Sequence, residues 1–96
     1  MLASHRLRER ITFQPNTPAA VTVWAEVAPL GAELSAGEGG RVSVRRRYRI
    51  RTHRDEVTPA QGQSVLWDGR LLTVTAHALA ADDRRLLVIE AEEMLG

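Results

Sequence analysis

The 96-residue chain contains neither cysteine nor lysine, and both absences exclude chemistry. Without cysteine there is no disulfide staple, no thiolate zinc centre and no cysteine nucleophile. Without lysine there is no Schiff-base chemistry and no phosphate-loop lysine. Aromatic residues are scarce, with only Phe13, Trp24, Tyr48 and Trp67, too few for a broad base-stacking platform. No long apolar run is present either. The longest nearly uncharged stretch, Leu71 to Ala81, has 11 residues and carries Thr73, Thr75 and His77, well short of the roughly 20 apolar residues that span a bilayer. The first ten residues lack the apolar core of a secretory leader. These features lead to the expectation of synthesis in the cytoplasm and no membrane contact. A chain this short buries only about 60–65% of its surface, so a single domain over 1–96 is expected, supported by packing or by partner subunits.

What is present is charge, and it is segregated. All 13 basic residues are arginine. Residues 41–54 hold Arg41, Arg45, Arg46, Arg47, Arg49, Arg51 and Arg54 and no acid, a segment of +7, while the remainder carries −6. Such asymmetry fits a nucleic-acid surface or a head-to-tail contact between copies, and composition does not choose between them.

The hydrophobic periodicity is that of strands. Val42, Val44, Tyr48 and Ile50 alternate with Ser43, Arg45, Arg47, Arg49 and Arg51, and Arg46 alone breaks the apolar row. Val21, Val23, Ala25 and Val27 alternate with Thr22, Trp24, Glu26 and Ala28; Pro29 ends the run or places it at a sheet edge. Asp68-Gly69 between two apolar runs is a type I′ hairpin signal. Arg10–Phe13 forms a short first strand, closed by a turn with two prolines. In the run from Asp82 to Glu93 the alternation of Leu87, Ile89 and Ala91 favours a strand over a helix. Residues 31–40 include Gly31, Gly37, Gly39 and Gly40 and read as a flexible loop, with at most one helical turn around Glu33 to Ala36. The expectation is a mostly β protein: a small antiparallel β-barrel or sandwich with an inserted flexible loop or short helical turn.

No catalytic set emerges. His5, His53 and His77 are far apart and lack metal-ligand spacing. Ser4, Ser35, Ser43 and Ser64 lie in no nucleophile elbow. Gly39-Gly40-Arg41 lacks phosphate-loop spacing, and the neighbouring acids Asp82-Asp83 and Glu90, Glu92 and Glu93 read as solvated surface. The expectation is a protein that is not an enzyme and takes no metal or cofactor.

Arg45, Arg47, Arg49 and Arg51 on one strand face would form a ladder roughly 20 Å long. Three readings stay open: a solvated face relieved by acids on neighbouring strands, a contact between copies in which the ladder meets acids such as Glu90, Glu92 and Glu93 of another subunit, or phosphate binding.

The order Arg6–Gln14, Val23–Glu33, Tyr48–Arg51 and Val65–Val74 resembles the head-tail joining (head-closure, or stopper) proteins of long-tailed bacteriophages and of gene transfer agents. The resemblance covers nearly the whole chain and rests on four short motifs in order rather than on one diagnostic motif. It implies a small β-barrel forming a homo-oligomeric ring of six or twelve copies in the head-tail connector of a virion or phage-like particle. The ring's partners would be a portal or adaptor above, a tail terminator or tail tube protein below, and packaged DNA in the channel. On that resemblance Gly31, Glu33, Leu34, Gly37, Gly39 and Gly40 form an assembly loop, and Arg45–Arg51 lie near a subunit boundary. The chain departs from many members in its short Phe13–Val21 connection and its Gly-rich residues 37–40. A small β-barrel nucleic-acid-binding protein is the alternative; a tail terminator or an adaptor is a third reading, and an adaptor would be helix-rich.

Overall fold

A computed structural model describes residues 7–36 and 38–95. Six antiparallel strands follow one another: β1 (Glu9–Phe13), β2 (Val21–Ala36), β3 (Val42–His53), β4 (Ser64–Trp67), β5 (Arg70–Leu79) and β6 (Leu86–Leu95). They close in the order β1-β2-β3-β6-β5-β4, the ring being completed where β1 pairs with β4 through Ile11–Trp67, Thr12–Leu66 and Phe13–Val65. Closure removes free edges from the paired region. It also gives the alternating apolar residues one shared interior. Ile11, Phe13, Val23, Ala25, Tyr48, Ile50, Val65, Leu72, Val74, Leu87, Ile89 and Ala91 fill it. Thr52 is the one fully buried polar residue of this interior among the described residues, and its hydroxyl donates to the Trp24 carbonyl at 2.8 Å. That bond offsets the cost of removing the hydroxyl from water.

The expected strands are present. The Asp68-Gly69 turn has positive φ at both residues, 51° and 72°, the conformation of a type I′ hairpin. The C-terminal run is a strand from Leu86; Asp82–Arg85 precede it as a bend and turn. Thr17 stabilises the β1–β2 connection by donating its hydroxyl to the Gln14 carbonyl at 2.8 Å.

The segment 31–40 differs from the expected loop. Residues Gly31–Ala36 are not a helical turn; they continue β2 past Pro29 and pair with β3 from Arg47 to Val42. A bulge between Pro29 and Gly31 resets the register, and Gly31 takes φ 133° there, a region open to glycine. The reason for the difference is tertiary: Val42, Val44 and the arginines of β3 form a strong strand whose edge needs a partner, and the weakly patterned Ala32–Ala36 supplies one. β1 accompanies β2 only as far as Ala25, so Pro29 stands where β2 has an open edge. The chain reverses in a 3-10 turn at Glu38–Gly40, where Gly39 and Gly40 have φ 73° and 76°. Gly37 lies outside the described residues.

The result is a ribbon of β2 and β3, accompanied by β6 as far as Val44, that projects beyond the barrel wall. It explains the elongated shape, 48 × 31 × 20 Å, and a radius of gyration of 14.1 Å, against about 12.5 Å for a compact chain of this length.

Candidate functional site

The arginine ladder lies on the outer wall, because Tyr48, Ile50 and Thr52 of the same strand point into the barrel and the alternation sends Arg45, Arg47, Arg49 and Arg51 outward. Its carboxylate partners come from both flanking strands of the same chain. Arg45 Nε lies 3.5 Å from Glu92, Arg47 lies 3.3 Å from Glu90 and 3.7 Å from Glu33, and Arg51 lies 3.9 Å from Glu26. Arg51 Nη2 also donates to both carboxylate oxygens of Asp82 at 2.9 Å. Three of these contacts are diagonal. In register Glu33 opposes Arg45 yet meets Arg47; Glu92 opposes Arg47 and Glu90 opposes Arg49, yet each of these two carboxylates meets the arginine one step further toward the ribbon. This shift leaves Arg49 with no ion pair among the described residues, since its neighbour on β2 is Ala28.

Glu90 and Glu92 thus stand beside the ladder of their own chain. Glu93 does not belong to that face. Alternation turns it inward, where it is 8% exposed and its Oε1 has no hydrogen-bond partner. Its register partner Arg46, the residue that breaks the apolar row, makes no ion pair with it within 4 Å.

Glu26 and Asp82 are ladder partners that sequence reasoning missed. The signal for Glu26 is its place on the polar phase of β2; nothing local points to Asp82, which reaches Arg51 from the β5–β6 connection. The Arg51 hydrogen bond holds the Asp82 carboxyl below the ordinary aspartate range. Beside it Asp83 accepts from Arg85 Nε at 3.0 Å and Nη2 at 2.9 Å, which lowers its pKa to about 2 and raises that of Arg85.

Of the expected assembly residues, Glu33 is tied to Arg47, while Leu34 is 76% exposed on the ribbon's opposite face, directly across from Val44. Val42 is 60% exposed nearby. The ribbon therefore has a charged outer face and an inner face that toward the tip is apolar at Leu34 and Val42, with no further strand across it among the described residues.

Two aromatic clusters complete the surface. Near the β4–β5 hairpin, Trp67 meets Tyr48 edge-on at 5.2 Å and donates its indole N–H to Glu9 at 3.0 Å. Arg70 donates to the Tyr48 hydroxyl at 3.1 Å and lies 5.8 Å from the Trp67 ring. Trp24, half-exposed, carries the Arg10 guanidinium 4.7 Å above its ring and borders an open groove of about 550 Å³ lined by Leu7, Arg8, His53 and Glu56.

Among the described residues no three His, Asp or Glu side chains converge in a metal-binding group, and no described helix is long and apolar enough to cross a membrane. The arrangement offers charge, apolar surface and a projecting ribbon, which are means of assembly. No curated protein matches the chain significantly. A family model described as phage head completion protein matches residues 16–94, from the β1–β2 connection almost to the end of β6. With so much of the barrel and the whole ribbon inside that match, the chain belongs to the phage head completion protein family.

Proposed function

We propose that this protein closes the head of a tailed phage or phage-like particle as a stopper. Copies form a ring below the portal or its adaptor, shut the DNA exit channel after packaging and present the surface on which the tail docks. Family membership implies the broader role, a structural and virion-associated one in head closure rather than an enzymatic one. The observation that carries the reading is that match over residues 16–94. The closed β architecture supports a stopper over a helix-rich adaptor.

The nucleic-acid alternative draws on the +7 segment. Intramolecular pairing of Arg45, Arg47 and Arg51 with carboxylates leaves fewer free cations for phosphates, and this favours the structural reading. Electron microscopy of particles from a strain lacking the gene tests the proposal. Free tails beside heads that have lost DNA are expected; normally tailed, DNA-filled particles would overturn it.

A further inference from the structure

Since most charges of the arginine ladder are met inside the chain, the ladder is a poor candidate for the main contact between copies. The fold also leaves several large apolar side chains uncovered. One such surface is the inner face of the ribbon, where Leu34 and Val42 project on the side that elsewhere holds the core. β1 stops accompanying β2 at Ala25, and the β5–β6 pairing ends at Thr73–Glu92, so among the described residues no further strand runs alongside this part of the ribbon, and Leu34 and Val42 stay exposed. Another is on the outer wall of the barrel, where Leu66 and Leu71 are direct cross-strand partners and both exposed.

We propose that the ribbon of one copy lays its Leu34–Val42 face on the Leu66–Leu71 surface of a second copy. This rests on the ring reading above and specifies how the ring is held. The two surfaces occupy different parts of the chain, so the contact is head-to-tail, and a contact of that kind forms a ring when its rotation closes. Charge selects this pairing over ribbon against ribbon. Arg41 and Arg46 of the ribbon have no ion-pair partner among the described residues, and neither has Asp68, in the turn joining the strands of Leu66 and Leu71. Two ribbons face to face would bring like charges together, whereas a ribbon on the hairpin wall brings Arg41 and Arg46 toward Asp68.

The absence of cysteine makes the test clean, because introduced thiols have no competitors. Particles are produced with the Leu34→Cys, Leu71→Cys double variant in place of the gene, treated with a short bis-maleimide and run on a denaturing gel. The expected result is a ladder of multimers beyond the dimer from the double variant and none from either single variant. Should the double variant fail to join particles, the two single variants are co-expressed; crosslinked dimers that need both supply the same evidence. Joined particles without crosslinks, or dimers from Leu34→Cys alone, overturn the inference while leaving the stopper reading intact. Normally tailed particles in the complete absence of the gene would instead overturn the stopper reading.

Discussion

Arg49 stands directly opposite Glu90 in the β3–β6 ladder, yet the Glu90 carboxylate meets Arg47 at 3.3 Å. Long side chains reach diagonal neighbours across a sheet, and once Arg47 takes both Glu90 and Glu33, Arg49 is the cation left over. The ladder is therefore not four equivalent charges. Replacing Arg49 by Ala is expected to change stability by less than about 0.5 kcal/mol, as for an exposed side chain without partners. Arg51→Ala loses the Asp82 and Glu26 contacts together and lowers the melting temperature more than Arg49→Ala does. Thermal melts of the two variants side by side check the order.

The Asp82–Asp83 connection makes stability sensitive to acid. Both carboxyls titrate lower in the folded chain than in the unfolded one, Asp83 at about 2, because Arg51 and Arg85 hydrogen-bond their ionised forms. A depressed folded pKa means that the contribution is full above the ordinary aspartate range and is lost as pH falls through that range toward about 2. Melting temperature measured from neutral to strongly acidic pH is expected to fall less steeply for Asp83→Asn than for the natural chain.

Glu93 is a carboxylate turned into the barrel with an unsatisfied oxygen, and Arg46 across from it makes no ion pair to compensate. Glu93→Gln keeps the shape and removes the charge; it is expected to stabilise the fold by about 1 kcal/mol, since a buried unpaired charge costs more than a buried amide. A lower denaturation midpoint in urea would show that Arg46 compensates Glu93 at longer range.

At the tight turn of the β4–β5 hairpin Gly69 has φ 72°. Gly69→Ala introduces a Cβ in a left-handed conformation and is expected to cost about 1 kcal/mol. Asp68 has φ 51°, so Asp68→Gly is expected to be tolerated far better. Chemical denaturation of both variants separates backbone strain from side-chain loss. The open space around Gly69 excludes a packing clash as the cause.

Much of this protein was legible before its fold was known. The alternation of Val21–Val27 and of Tyr48–Ile50 with arginine, the Asp68-Gly69 turn and the concentration of arginine over 41–54 each follow from neighbours a few residues apart, and each reappears as a strand, a hairpin or a charged face. Polarity at alternate positions is a local property, so the chain carries it unaided. Which strands lie beside one another is not local. The β1–β4 pairing that closes the barrel, the gift of Glu90 to Arg47 rather than to Arg49, and the reach of Asp82 to Arg51 all join residues far apart in the chain. Residues 31–36 show the division most plainly: their glycine and alanine content carries no strong preference, and they became strand because β3 presented an edge whose backbone groups needed partners. Composition and periodicity determined that this chain makes strands with a segregated charge. Only the tertiary structure decided that those charges meet inside one subunit and that Leu34 and Val42 of the ribbon stay exposed, because both depend on where the closed barrel ends.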